Sequence, residues 1–237
     1  EAVAAYVTRL HRPTRPTGVD GIAVTNSGMS ALMVATQALV GPGDRVVAVT
    51  PLWPNLVEIP KILGAQVHCV ALRFTPEGWQ LDLDELLDAL TPGTRAVYIN
   101  SPNNPTGWTL DREDQRAILE HCRRLGIWIL ADDAYERLYY PGGAAPSFLD
   151  IADAGDRVVG TNTFSKSWLM TGWRLGWIVM PPELIGDIGT LIEYNTSCAP
   201  GFVQKAGIAA ITQGEPVIVR TVARFRAARD FLIARLR

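Results

Sequence analysis

The sequence predicts an α/β fold with a mainly parallel sheet. Short apolar, β-branched runs alternate with helical patterns as far as Pro181 and Pro182, and such alternation is typical of strand–helix–strand units. The runs are apolar at consecutive positions, as expected of strands that are covered on both faces. Beyond Pro182 only helical patterns follow.

The strands and helices can be placed in chain order. Six runs are predicted to be strands, over residues 46–49, 67–70, 96–99, 127–130, 158–159 and 177–179. A helix is expected over 30–40, and Gly41-Pro42-Gly43 ends it. Asp111 is placed to cap another helix that runs to Leu125 and stops at Gly126.

Helices fill the rest of the chain. Four apolar residues after Pro182 share one helical face, namely Leu184, Ile188, Leu191 and Ile192. Pro200 and Pro216 stand near the starts of the next two helices. The last helix carries an apolar stripe made of Ile218, Val222, Phe225, Leu232 and Leu236. Both ends of the chain fall within helical patterns, so we expect it to be truncated at both ends.

The composition indicates a globular protein that binds small molecules. Of 237 residues, 48% are hydrophobic and 19% are charged, which excludes a disordered chain. The net charge is −2 without a Lys/Arg block, so neither a nucleic acid nor a membrane is an expected partner. No apolar run reaches the roughly 18 residues of a membrane span and no signal peptide is visible. The cytoplasm is therefore the expected compartment.

The cysteines do not indicate a redox or metal function. Cys69, Cys122 and Cys198 lack the spacing of a disulfide framework or a zinc site. We expect all three to be reduced and packed in the interior, and we expect no metal site.

Lys166 is the first candidate for chemistry. It lies in Thr163-Phe164-Ser165-Lys166-Ser167, just after the predicted strand 158–159. Strand ends deliver functional groups to the ligand crevice of an open α/β sheet. A lysine there can act as an amine nucleophile if desolvation or a nearby cation lowers its pKa. The alternative is a solvated surface lysine.

Arg174 is a candidate for binding an anion. It lies among Gly and Trp residues in 170–177 and leads into an apolar strand, so its guanidinium can be held in place for bidentate contact. Ser165 and Ser167 can donate hydroxyls to the same anion. The alternative is an arginine paired with a surface carboxylate.

A second anion-binding feature lies at the start of the helix near residue 30. Ser27, Gly28 and Met29 form a small, polar turn that opens an apolar helix. The backbone N–H groups there, at the positive end of the helix dipole, can hold a phosphate. Alternatively, the turn is a simple helix cap.

Asp132 follows the predicted strand 127–130 and precedes Asp133, Ala134 and Tyr135. A carboxylate at the end of a buried strand is costly unless it is paired. A protonated ring nitrogen of a ligand is a suitable partner. The alternative is a helix or loop cap.

Two further side chains follow strand ends. Asn104 lies in a loop, 101–107, that two prolines and a glycine fix. Trp53 follows the strand 46–49 and can stack on a planar ring. A tight turn and ordinary core packing are the alternatives.

The order of these features resembles the class I/II aminotransferases, which are pyridoxal-phosphate enzymes of fold type I. The resemblance runs from about Gly21 to the end and is most specific in 163–177 and 104–107. It implies a three-layer α/β/α architecture in which residues 1–237 form the cofactor-binding large domain. It also implies that the small C-terminal domain is missing.

The resemblance implies a role for each candidate. Lys166 would form the Schiff base with pyridoxal 5'-phosphate and move a proton between substrate and cofactor. Asp132 would pair with the pyridinium nitrogen. Tyr135 and Asn104 would bond the phenolic oxygen, Asn104 also the substrate carboxylate, and Trp53 would stack on the ring. The phosphate would be bound by Ser27, Gly28, Met29, Ser165 and Arg174.

The implied function is an aminotransferase that uses an amino acid and a 2-oxo acid and works as a homodimer. A related lyase that performs C–S β-elimination or cyclopropane formation uses the same motifs, so it remains an alternative. A non-catalytic fragment and the cofactor-sensing domain of a regulator are others. No residue is predicted for the arginine that binds the substrate α-carboxylate. Trp108 and Trp168 are expected either to line the substrate pocket or to pack.

Overall fold

The computed structural model describes residues 1–12 and 16–236. Nine strands lie within these ranges: β1 Ile22–Thr25, β2 Arg45–Thr50, β3 Gln66–Ala71, β4 Arg73–Thr75, β5 Gly78–Gln80, β6 Thr94–Asn100, β7 Trp128–Asp132, β8 Val158–Thr163 and β9 Gly176–Val179. The described α-helices are α1 Ala2–His11, α2 Gly28–Leu39, α3 Asn55–Ile62, α4 Leu83–Ala89, α5 Arg112–Leu125, α6 Phe164–Ser167, α7 Ile185–Thr196, α8 Gly201–Gln213 and α9 Glu215–Leu236.

The main sheet is mixed but mostly parallel, as predicted. Its strand order is β1-β9-β8-β7-β6-β2-β3. The strands β3, β2, β6, β7 and β8 run parallel, whereas β9 is antiparallel to both β8 and β1. The chain therefore brings the carboxyl ends of β1, β6, β7 and β8 to one edge of the sheet. The strands β4 and β5 form a separate hairpin.

Helices cover both faces of the sheet, which confirms the three-layer α/β/α architecture. Successive strand side chains point to opposite faces, so Val47 packs with residues of α1, α5 and α8, whereas Val46 packs with residues of α2, α3 and α7. In β6, Val97 belongs to the same core as Val47, and Tyr98 belongs to the same core as Val46. This explains why the strand runs are apolar at consecutive positions.

The strand β3 contradicts the expectation that all the apolar runs are covered on both faces. It forms an edge of the sheet, where His68 and Cys69 are exposed and Val70 is buried. The strands β1, β4 and β5 were not predicted, and β7 begins at Trp128, one residue after the predicted start.

The helix boundaries agree with the capping signals. Asp111 accepts hydrogen bonds from Glu113 N and Asp114 N at 2.9 Å each, and Gly126 ends α5 in the left-handed region with φ of 67°. The helix α2 begins at Gly28, two residues before the predicted start, because Ser27 is its cap.

The apolar stripe of α9 is only partly covered. Ile218 is buried and Val222 packs on the core, whereas Phe225, Leu232 and Leu236 are exposed.

The three cysteines are free, as expected, but only one is packed in the interior. Cys122 is buried, while Cys69 and Cys198 are exposed, which corrects the expectation for those two. Within the described ranges, no helix is long and apolar enough to cross a membrane, and no group of three or more His, Cys, Asp or Glu side chains is arranged to hold a metal ion.

The cap of α5 gives a test of the fold. Asp111→Ala should lower the free energy of unfolding by about 1 kcal/mol, because two N–H groups at the helix start lose their acceptor. Urea denaturation at neutral pH measures this. The exposed Asp88 in α4 is a matched control, and Asp88→Ala should change the value by less than about 0.5 kcal/mol. Equal effects of the two variants would show that the cap contributes nothing specific.

Candidate active site

A cavity of about 250 Å³ opens at the edge of the sheet where the parallel strands end. Of the residues to which the family resemblance assigns a role, all except Ser27 line it. The sequence did not single out six other lining residues, which are Leu32, Asn100, Ala134, Asn162, Thr163 and Thr171.

The strand register explains why the polar residues converge. Asn100 and Asp132 are the last residues of β6 and β7, and they lie opposite each other in the parallel ladder. Thr163 is the last residue of β8 and caps α6, so Lys166 is presented one short turn beyond it. Strand ends that meet at one edge form the ligand crevice of such sheets.

Asp132 is a buried carboxylate that faces the cavity. Burial raises its pKa from 3.8 to about 6, while a hydrogen bond from Ala134 N to Oδ1 at 3.2 Å and the charge of Lys166 act in the opposite direction. Since burial dominates, the ionised carboxylate is under-compensated in the protein alone, and a cationic group in the cavity would stabilise it.

Lys166, Tyr135 and Asn104 converge on one region of the cavity. Lys166 Nζ lies 5.5 Å from the centroid of the Tyr135 ring. The Asn104 Nδ2 atom lies 3.4 Å from the Tyr135 hydroxyl. These groups can therefore contact the same ligand atoms.

Asn100, which the sequence analysis missed, holds the Asn104 loop in place. Its Oδ1 accepts from Asn104 N at 2.7 Å, and its Nδ2 donates to the carbonyl of Asp132 at 3.0 Å. Asn100 is buried, so it ties the loop after β6 to the end of β7. A polar residue ending an apolar strand, as at Asp132, is the signal that could have identified it.

The start of α2 forms another wall of the cavity. Ser27 caps the helix, because its hydroxyl accepts from Ser30 N at 3.1 Å. Gly28 and Met29 line the cavity. Since the first N–H groups of an α-helix have no intrahelical acceptor, those of Gly28 and Met29 are available to an anion. Ser27 supports this wall without lining it.

Arg174 and Ser165 lie at the same side of the cavity. Arg174 lines it in the left-handed conformation with φ of 52°, and its Nη1 donates to the carbonyl of Thr171 at 2.7 Å. Thr171 in turn donates its hydroxyl to the carbonyl of Ser165 at 3.2 Å. This segment therefore adds a cation and a hydroxyl beside the helix start.

Two glycines allow the α2 start to approach the sheet. A Cβ atom at Gly28 would lie 2.9 Å from Thr163 Cβ, and a Cβ atom at Gly176 would lie 2.6 Å from Gly28 N. Real Cβ atoms essentially never come this close. The start of α2 can lie this close to the sheet only because Gly28 and Gly176 have no side chain.

Three other side chains considered in the sequence do not line the cavity: Ser167, Trp108 and Trp168. Ser167 is buried and does not line the cavity, and its hydroxyl is one of the side-chain atoms without a partner in the described part of the chain. Its proposed contact with the anion is therefore wrong. Trp168 packs against Phe164 with ring centroids 5.0 Å apart, and Trp108 packs on the core. Neither tryptophan lines the cavity, whereas Trp53 does.

The comparison with known families agrees with this arrangement. Residues 1–237 match the family model described as aminotransferase class I and II. The chain belongs to the class I and II aminotransferases. Members of this family depend on pyridoxal phosphate, so the predicted family and its cofactor are confirmed.

Relatives of this aminotransferase-family chain include curated enzymes. It is 33% identical to an aspartate aminotransferase of Thermotoga maritima over 92% of this chain and 56% of the relative. It is 30% identical to an arginine–pyruvate transaminase of Pseudomonas aeruginosa over 98% of this chain and 59% of the relative. The chain therefore spans little more than half the length of these relatives.

Solved structures of the family share the fold. The N-succinyldiaminopimelate aminotransferase of Mycobacterium tuberculosis superposes with a TM-score of 0.91 at 28% identity, covering 98% of this chain and 60% of that one. The Thermotoga maritima aspartate aminotransferase superposes with the same score at 30% identity, covering 99% and 61%.

The close approach at Gly176 can be tested through stability. Gly176→Ala should lower the free energy of unfolding by about 1–3 kcal/mol, because the new methyl group overlaps the backbone of residues 27 and 28. Gly172→Ala is the matched control, since a Cβ there meets nothing within 4 Å. Urea denaturation of both variants measures the difference. A Gly176→Ala variant as stable as the control would contradict the close contact.

The burial of Asp132 predicts a pH-dependent stability. The pKa of Asp132 in the folded chain, about 6, lies above the ordinary 3.8. The contribution of protonated Asp132 to the free energy of unfolding is therefore fully present below pH 3.8 and is lost as the pH rises through 6. Asp132→Asn should therefore raise the free energy of unfolding of the cofactor-free chain at pH 7.5. This gain should exceed the gain at pH 4 by up to about 3 kcal/mol. Urea denaturation at both pH values, with Asp88→Asn as the exposed control, measures this. A gain that does not depend on pH would exclude ionisation of Asp132 as its cause.

Proposed function

We propose that residues 1–237 form the pyridoxal-phosphate-binding large domain of an aminotransferase, which moves an amino group from an amino acid to a 2-oxo acid. One observation carries this proposal. An amine, a buried carboxylate and an anion-binding helix start face a single cavity at the edge of the sheet, in a chain that matches the aminotransferase family over its whole length.

The residues present fit pyridoxal phosphate. The buried carboxylate of Asp132 lacks full compensation in the protein alone, as expected of a partner for a cationic ring nitrogen. The start of α2, with Arg174 close by, is suited to a phosphate. Trp53 lines the same cavity and offers an aromatic face to the ring.

Asp132 would hold a proton on the ring nitrogen. Its pKa of about 6 leaves it mainly ionised at neutral pH, and burial strengthens its attraction for a cation. When bound, pyridoxal phosphate supplies an electron-accepting ring that takes up the electron pair of a broken substrate bond. Asp132 sustains this capacity by keeping the nitrogen cationic.

Lys166 is proposed as the residue that bonds the cofactor and moves the proton. Its amine lies on α6 directly beyond the end of β8 and close enough to Asp132 to lower the pKa of that carboxyl group. With pyridoxal phosphate bound, the neutral amine of Lys166 would accept the proton from the substrate Cα and would return it to the cofactor. Lys166 Nζ lies 5.5 Å from the centroid of the Tyr135 ring, and both residues line the cavity.

Tyr135 and Asn104 are proposed to bind the phenolic oxygen of the ring. Their polar atoms lie 3.4 Å apart, so both can donate to one oxygen. Donation to that oxygen favours its anionic form. Asn104 is also proposed to contact the substrate carboxylate, since its side chain lines the same cavity.

The phosphate is proposed to lie against the N–H groups of Gly28 and Met29, the Ser165 hydroxyl and the Arg174 guanidinium. Ser27 contributes by capping the helix rather than by lining the cavity. Two backbone donors, a hydroxyl and a cation complement a dianion.

Substrates and assembly follow from the family. The relatives include enzymes named for aspartate and for arginine and pyruvate, so an amino acid and a 2-oxo acid are the proposed substrate classes. A homodimer in the cytoplasm is the proposed state. The lyase alternative is not favoured, because the similar proteins given above are aminotransferases.

Lys166 provides the decisive test. The purified chain mixed with pyridoxal phosphate should show a visible absorption band that Lys166→Ala abolishes. Lys205→Ala, an exposed lysine on α8, is the matched control and should retain the band. The same band in Lys166→Ala would exclude Lys166 as the cofactor-bonding residue.

The reaction class is tested on the same sample. An amino donor should bleach the band, and a 2-oxo acid should restore it. Release of pyruvate and ammonia from a β-substituted amino acid would instead identify a lyase. Circular dichroism of each variant separates loss of binding from loss of folding.

A further inference from the structure

The first helix contributes a buried polar cluster to the core below the cavity. Tyr6 and His11 of α1 are both buried, and both contact Glu136, which lies just beyond Asp132 and Tyr135 in the chain. The Tyr6 hydroxyl donates to Glu136 Oε1 at 2.7 Å, and His11 Nε2 lies 2.8 Å from Glu136 Oε2. Both carboxylate oxygens of Glu136 are thus held by α1.

The other ring nitrogen of His11 contacts a second carboxylate, that of Asp150. His11 Nδ1 lies 3.0 Å from Asp150 Oδ1, and the second oxygen of Asp150 contacts Arg112 at 2.8 Å and accepts from Ser147 N at 2.9 Å. The Ser147 hydroxyl donates to Asp133 Oδ2 at 2.7 Å. The cluster therefore reaches from α1 to the residue that adjoins Asp132.

His11 carries a buried positive charge. Burial opposes that charge, but the hydrogen bonds to Asp150 and Glu136 and the charges of Glu136 and Asp133 outweigh it and raise the pKa of His11 from 6.5 to about 10. With the imidazole protonated, both ring nitrogens donate. This imidazolium faces Glu136 and Asp150 directly, with Asp133 close by.

Tyr6 also contacts the segment that carries Lys166. Its ring packs edge-on against Trp168 and Trp177, with centroids 5.4 and 5.9 Å away. Trp168 follows Lys166 by two residues and packs on Phe164. A single helix thus contacts two of the segments that present side chains to the cavity.

We propose that His11 and Tyr6 are positioning residues for the cofactor site, which hold the turn after β7 through Glu136 so that Asp132 and Tyr135 face Lys166. The inference rests on the proposed function, because it concerns the same cavity. Neither residue lines the cavity, so both act through Glu136 and the turn from Asp133.

The physical reason is that neither the imidazolium of His11 nor the carboxylate of Glu136 is stable in the interior without the other. Without the imidazolium, Glu136 would be a buried carboxylate with the Tyr6 hydroxyl as its one remaining side-chain donor among the described residues, and removal of one member of a buried pair is strongly unfavourable. The backbone of the turn is also held by hydrogen bonds from Glu136 N to Asp133 O at 2.9 Å, from Leu138 N to Tyr135 O at 2.9 Å and from Ala145 N to Glu136 O at 2.8 Å. These bonds tie the backbone of Glu136 to that of Tyr135, so a shift of Glu136 would be passed to Tyr135, which precedes it directly.

Three variants of the full chain test the proposal. His11→Gln removes the charge but keeps hydrogen-bonding groups, and Tyr6→Phe removes only the hydroxyl. His121→Gln is the matched control, since His121 is a partly buried histidine bonded to the carbonyl of Leu90 at 2.9 Å. Tyr6→Phe is the milder variant, so it decides the question if His11→Gln does not fold.

The first measurement needs no cofactor. The chain is labelled with fluorotyrosine, and the Tyr135 signal in the ¹⁹F spectrum is assigned by its absence in Tyr135→Phe. His11→Gln and Tyr6→Phe should shift this signal, whereas His121→Gln should not. An unmoved Tyr135 signal in the folded variants would overturn the proposal, even if the wild-type chain binds pyridoxal phosphate.

The second measurement uses pyridoxal phosphate. Loss of a residue that holds a metal ligand in place typically lowers metal affinity or activity by about 10-fold to 100-fold. We expect an effect at the lower end of this range here: His11→Gln should lower the affinity for pyridoxal phosphate by about 10-fold and shift the pH midpoint of the visible band. A variant that melts at a lower temperature but keeps the wild-type affinity and midpoint would show that His11 only stabilises the fold.

A wild-type chain without a Lys166-dependent band would refute the proposed function, and the claim that α1 positions a cofactor site would fall with it. The ¹⁹F result would then still report whether α1 holds the turn.

Discussion

The structure is organised around two adjacent carboxylates that are buried where β7 ends. Asp132 lines the cavity, whereas Asp133 accepts a hydrogen bond from Ser147 on the side of α1. Burial raises the pKa of Asp132 to about 6 and that of Asp133 to about 7. Buried charges require partners. The imidazolium of His11 supplies a positive charge on one side, and Lys166 supplies one on the other.

Close backbone contact is the second constraint on the site. The start of α2 can present N–H groups to the cavity only because it lies against the ends of β8 and β9, where Gly28 and Gly176 carry no side chain. The antiparallel pairing of β9 with both β1 and β8 brings these segments together. The position of the α2 start at the cavity is therefore a property of the sheet topology as much as of the Ser27-Gly28 turn.

Much of this arrangement could be predicted from the sequence, because strand ends and caps leave local patterns. Apolar runs located the central strands, and Asp111 and Gly126 located α5. The exposure of β3 could not be predicted, since it depends on strand order, which no single run encodes. The strand β1 was missed because it has only four residues with alternating burial. The contact of His11 with Glu136 joins residues 125 positions apart, and no local motif marks such a pair.

The two buried aspartates also link the cavity to the interior. A cationic ring nitrogen beside Asp132 would favour its ionised form, and the negative charge would raise the pKa of Asp133 further, because like charges at adjacent residues oppose each other. The ionisation of Asp132 is thus coupled to that of Asp133, and a proton retained on Asp133 limits the negative charge that is buried in the core. His11 sets how much negative charge this core tolerates, since its imidazolium favours the ionised forms of Asp150 and Asp133. The helix α1 therefore influences the electrostatics of the cavity without contacting it.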